Sequence, residues 1–110
     1  MTTEVHTIAF APHEIVAAIA NFHRHRKLPI PSGKVVGMVF TAPPEIEGRF
    51  QILADGTDVP ADFTLDSATL AASLVFHCIN HGIPLPALAT KQLRRHEHGL
   101  ELVVSNMRHV

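Results

Sequence analysis

The sequence has no tryptophan and no tyrosine, a single cysteine, and no long apolar run. The missing aromatics are the side chains that most often anchor protein interfaces and base-stacking platforms, and six phenylalanines are left to fill those roles. One cysteine, Cys78, excludes an intramolecular disulfide and fits a reducing compartment. The longest apolar stretches are about one strand or one helix face long, short of the roughly 18 residues of a membrane span. The segment Met1 to His6 has no basic stretch leading into an apolar run, so a secretory signal is not expected. These absences predict a cytoplasmic protein with no membrane partner. Charge of one sign is also missing: nine Lys and Arg face ten Asp and Glu, for a formal net charge of −1. No global field draws such a chain to nucleic acid or anionic lipid, and binding of that kind needs a local patch.

What is present suffices for a core. Of 110 residues, 46% are hydrophobic and 17% charged, which sets the chain apart from disordered sequences. A single domain of this size, here residues 1–110, buries roughly 60–70% of the surface its unfolded form exposes. Histidine is abundant: the nine histidines equal Lys and Arg combined. It is the side chain whose charge changes near neutral pH and the commonest metal ligand.

The sequence contains an internal repeat with a period of half the chain. Phe10, Ile15-Val16-Ala17-Ala18-Ile19 and Leu28-Pro29-Ile30-Pro31 recur without a gap as Leu65, Leu70-Ala71-Ala72-Ser73-Leu74 and Ile83-Pro84-Leu85-Pro86. Beyond the Pro tetrads the register shifts, and Lys34 aligns with Lys91 and Gly48 with Gly99. The copies span approximately residues 4–54 and 57–106.

Each copy reads as β-α-β-β. His6 to Phe10 and Val59 to Leu65 alternate like strands, with Val59, Ala61, Phe63 and Leu65 on one face. Pro12 suits the first position of one helix and Asp66 the N-cap of the other. Ile15, Ala18, Ile19 and Phe22 form one helical stripe; Leu70, Leu74, His77 and Cys78 form its counterpart. Gly82 can close the second helix. The Pro tetrads cannot continue a helix and read as extended connectors. Hairpins follow, from Lys34–Phe40 and Gly48–Leu53, then from Lys91–Arg95 and Leu100–Val104. Asp55-Gly56 marks the turn between copies. The expectation is an α+β fold with a mainly antiparallel sheet, or two half-sheets about a pseudo-twofold axis, and both helices on one face. Val35-Val36-Gly37-Met38-Val39-Phe40 is apolar on both faces, so either the sheet folds over on itself or a second subunit covers it, and a homodimer is the favoured expectation.

Three groups of residues carry candidate chemistry. His77 and His81 are one helical turn apart and could share a divalent transition metal, with Cys78 as a poorly angled third ligand. In the repeat register they replace Phe22 and Arg26. The competing reading is a hydrogen-bonded structural histidine beside a small buried cysteine. Arg24, Arg26, Lys27 and Lys34 form one basic group, and Arg94 and Arg95 begin another. They could hold phosphate on a nucleic acid or nucleotide, yet cations at a helix C-terminus are also explained by the macrodipole. His96-Glu97-His98-Gly99 reads as a polar turn. Pro31-Ser32-Gly33-Lys34 lacks the rest of a phosphate loop, and no Gly-x-Ser-x-Gly elbow occurs. Asp55, Asp58, Asp62 and Asp66 are explained by turns, a polar strand face and a cap. The sequence therefore favours a non-catalytic interaction module, a homo-oligomer binding protein or nucleic acid, over an enzyme. The alternative is a small metal-binding protein using His77 and His81.

Overall fold

The computed structural model describes residues 2–86 and 89–108. Its elements run β1 (Thr2–Phe10), α1 (Pro12–Arg26), β2 (Lys34–Phe40), β3 (Gly48–Leu53), β4 (Ala61–Leu65), α2 (Ser67–Asn80), β5 (Thr90–His96) and β6 (Gly99–Arg108). The fold class is α+β, with two antiparallel three-stranded sheets ordered β1-β6-β5 and β2-β3-β4. Each sheet takes a hairpin from one half of the chain and its third strand from the other. Phe10 lies opposite Leu100 in the first sheet, and Leu65 opposite Gly48 in the second.

Local chemistry sets the helix ends. Pro12 occupies the first turn of α1, where its missing N–H leaves nothing unpaired, and the Glu14 carboxylate accepts from the Ala11 N–H at 3.0 Å. In α2 the Asp66 carboxylate accepts from the Thr69 N–H at 2.8 Å. Both helices stop in the same way. Gly82 is left-handed (φ 69°), its N–H reaches Ile79 O, and the Ile83 N–H reaches Cys78 O. Lys27, at the matching repeat position, is also left-handed (φ 56°), its N–H reaches Arg24 O, and the Leu28 N–H reaches His23 O. This is a Schellman ending in each case, built once on glycine and once on a residue whose Cβ opposes it.

The helices pack on each other and on the inner sheet faces around one core. Ile15, Ala18 and Ile19 of α1 meet Leu70, Leu74 and Cys78 of α2, and Phe10, Phe50, Ile52, Leu65, Leu100, Leu102 and Val104 supply the sheet side. The alternation predicted for the strands is present: Gly48, Phe50 and Ile52 are buried while Arg49 and Gln51 are exposed. The molecule is long and thin, 60 × 28 × 18 Å, with a radius of gyration of 15.3 Å. A compact chain of similar length has about 13 Å. A thickness of 18 Å accommodates one helix layer on one sheet layer, which leaves the outer sheet faces open. Among the described residues no helix is long and apolar enough to cross a membrane.

Three sequence expectations need correction. The Asp55-Gly56 turn forms, with Gly56 at φ 83°, but it opens a longer loop, and β4 starts only at Ala61. Val59 is outside the strand and 80% exposed. Pro60, just before the strand, has no N–H to add to the ladder, and pairing ends at Ile52 opposite Ala61. The alignment of Gly48 with Gly99 is one residue off. Gly48 faces Leu65 as Leu100 faces Phe10, so Leu100 holds the equivalent place. Because strand side chains alternate, that single step would turn every side chain to the wrong face. Lys91, opposite Val104, likewise stands where Val35 stands opposite Ile52, one residue from the alignment with Lys34.

Lys27 gives a direct test of the helix ending. Replacing Lys27 with Gly removes the left-handed Cβ penalty, at some cost in unfolded-chain entropy, for a net gain of about 0.5 kcal/mol. Thermal unfolding followed by circular dichroism should show a midpoint a few degrees higher; an unchanged or lower midpoint would contradict this account.

Candidate functional site

The histidine pair lies at the end of α2. His77 is in the last helical turn, and His81 is the C-cap, its N–H bonded to His77 O. Their rings are 4.2 Å apart at 38°, a tilted stack, and Phe10 meets His77 edge-on at 5.9 Å. In α1 the matching residues make the matching contact: the Arg26 guanidinium sits 5.5 Å from the Phe22 ring centre. Both helix ends thus place a flat group over a ring, and His77 and His81 fill that arrangement with two imidazoles.

The half-buried His77 has its pKa lowered, mainly by desolvation and then by the nearby His81, with Glu14 pulling the other way. Its Nδ1 is buried without a hydrogen-bond partner. An imidazole held neutral can leave that nitrogen as an unused acceptor at modest cost, whereas a protonated ring would bury an unpaired donor. Cys78 points the other way. It is wholly buried in the core, and desolvation raises its thiol pKa, the opposite of what a reactive or metal-binding thiolate needs. Among the described residues no three His, Cys, Asp or Glu side chains come together as a metal site.

The two basic groups belong to different sheets. Arg24, Arg26 and Lys27 end α1, whose buried His23 ring lies 5.9 Å from Phe63 of β4, and Lys34 opens β2 of the same sheet. Arg94 and Arg95 are on β5 of the other sheet. Arg94 is engaged: its Nε donates to Glu101 Oε1 at 2.8 Å, and His96 Nδ1 is 3.5 Å from Glu101 Oε2. Glu101 is nearly buried between them, an arrangement that a count of charges in the sequence does not reveal. His23 was also hidden in the basic run. It is 3% exposed, with Nδ1 2.8 Å from Ile19 O, so the run loses one member to the core. Its sequence signal was its place beside Phe22 on the apolar stripe.

The remaining feature is the edge of β2. Val36 and Val39 are 47% and 63% exposed, and an apolar hollow of about 340 Å³ lies between this strand and Pro12, His13 and Val16 of α1. No known protein family, curated protein or solved structure matches the chain.

The depressed His77 pKa has a consequence for stability. An unfolded imidazole binds its proton near pH 6.5, while folded His77 does so only at lower pH. The unfolded state therefore takes up the proton first as pH falls. This contribution is complete above about pH 6.5 and is lost as pH drops towards the folded pKa. Denaturant titrations at pH 7.5 and 5.5 should show a smaller loss of stability in His77→Phe, the residue of the matching repeat position, than in the native chain. An equal loss in both would show that His77 carries none of it.

Proposed function

We propose that this chain is a non-catalytic interaction module that acts as a homodimer, joined edge to edge through β2. The supporting observation is the contrast among the four sheet edges. β5 is guarded by Lys91, Arg94 and Arg95, β4 is short, follows Pro60 and carries Asp62, and β1 carries Glu4 and His6. After Lys34, β2 has no charge and no proline. Natural proteins protect a free edge with such residues, and an unprotected apolar edge pairs with another strand.

The sequence of β2 suits pairing with itself. An antiparallel pair centred on Gly37 sets Lys34 opposite Phe40 of the second copy, so no like charges meet. The same operation on β5 about Leu93 would set Lys91 opposite Arg95. The bulge of β2 lies between Val35 and Gly37, so in this pair the regular Gly37 to Phe40 of each copy faces the bulged segment of the other. Valines from the second copy would fill the hollow beside Pro12 and Val16. The chain itself is read as two copies of one β-α-β-β unit, on the shared helix endings and the exchange of third strands. Protein is preferred to nucleic acid as a further partner, because the basic groups lie on separate sheets and Arg94 is already paired. A cytoplasmic location accompanies this reading, on cysteine usage alone.

Light scattering coupled to size exclusion should give twice the 12.0 kDa chain mass. In a Val36→Lys, Val39→Lys variant the mass should halve while the circular dichroism spectrum is kept, since both side chains are on the surface. A native chain that is monomeric at tens of micromolar, or a variant that stays dimeric, would count against the β2 interface.

A second reading, a small metal-binding protein, is favoured by the unpartnered His77 Nδ1 beside His81. It expects zinc or nickel to raise the thermal midpoint of the untagged chain and to have no effect on the His77→Ala, His81→Ala variant. Metal at 100 times its dissociation constant would add about 2.7 kcal/mol. Identical midpoints with and without metal would set this reading aside.

A further inference from the structure

The two Pro-rich connectors are equivalent in the repeat but behave differently. In the second, Ile83 and Leu85 pack against the core. In the first, the matching Leu28 and Ile30 remain 45% and 38% exposed. Beside Ile30 is a half-open cavity of about 220 Å³, lined by Val16, Ile19 and Ala20 of α1, by Ile30 to Gly33, and by Val35, Phe50, Ile52 and Phe63 of the sheet. The far end of this wall is fixed. Gly33, at φ 137°, lies so close to Leu53 that a Cβ there would overlap the Leu53 carbonyl.

We infer that this cavity is a binding site for a small, neutral, mainly aromatic molecule, over which Leu28 and Ile30 close. Volume sets the size: an apolar cavity of about 150 Å³ takes up benzene, so 220 Å³ has room for a fused bicyclic ring. Composition sets the chemistry. No lining side chain is ionisable, and Ser32 offers the one polar side chain, at the mouth. A charged ligand would lose its water there and find no counter-charge. Phe50 and Phe63, with ring centres 6.4 Å apart, give an aromatic wall on which a planar ligand can stack or meet an edge. The exposed connector supplies the cover. Closing over a ligand would pack Leu28 and Ile30 against the core as Ile83 and Leu85, both partly buried, are packed in the other half. The cavity shares Val16 and Val35 with the hollow beside the β2 edge, so binding is measured both in the native chain and in a variant whose β2 edge cannot pair.

Indole is the probe, since a chain without Trp or Tyr contributes no fluorescence that competes with it. Titration of the full chain, in its native form and in the β2 double-lysine variant, should show saturable binding in the sub-millimolar range. Indole-3-acetate, which is charged, should bind more weakly. Ala20→Leu fills the cavity from α1 with a good helix former and should weaken indole binding more than about tenfold while the chain stays folded. Ile30→Asp alters a side chain that is partly in water, so the fold tolerates it. It places a charge at the mouth and should weaken binding as well, deciding the matter if Ala20→Leu does not fold. Absence of saturable binding to the native chain overturns the inference. So does binding that persists unchanged in whichever folded variant is measured.

Discussion

The antiparallel pairing of β1 with β6 joins the first residues of the chain to the last, and the architecture depends on it. Thr2 lies opposite Arg108 and Phe10 opposite Leu100. This ladder places Ile8 and Phe10 beside Leu102 and Leu100, on the face that the helices cover. Without it the β5–β6 hairpin would be a two-stranded ribbon, marginal in water. The pairing of β4 with β3 does the same for the other hairpin. Each half of the chain thus completes the sheet of the other, and neither half holds a three-stranded sheet by itself.

That exchange also explains the shape. Sheets built across halves lie along a long body, and two helices suffice to cover their inner faces but not their outer ones. Outer positions are polar at Arg49, Gln51, Asp62 and Thr64, and apolar at Val36 and Val39. The open face follows from a fold with two layers where a third would be needed to bury both sides of every strand, and the free β2 edge from the strand order β2-β3-β4.

The two halves of the chain differ where chemistry has room to enter. Where α1 has Phe22 under Arg26, α2 has His77 beside His81. Where the second connector packs Ile83 and Leu85 against the core, the first leaves Leu28 and Ile30 outside, with a cavity beside Ile30.

Much of the fold was legible in the sequence. Both helices follow from their stripes and from Pro12, Asp66 and Gly82, and the β2–β3 hairpin from its flanking apolar runs, because these signals are local. The two basic groups and the histidine pair could be listed from spacing, but their state could not. His23 lies within a run of cations and is nevertheless buried, because the helix stripe continues through it to Phe63. Cys78 adjoins His77 in sequence and faces the core, since a step of one residue is about 100° around a helix. Glu101 is buried because Arg94 and His96 on the neighbouring strand close over it. The sequence by itself determined the helices, the signals of Pro12, Asp66 and Gly82 at their ends, and the alternation of the strands, all set by interactions within a few residues. Tertiary structure alone decided which half completes which sheet, which edge is left free and where the cavity opens. Those outcomes depend on contacts between residues far apart in the chain, and a strand carries no local mark of its partner beyond the alternation of its side chains.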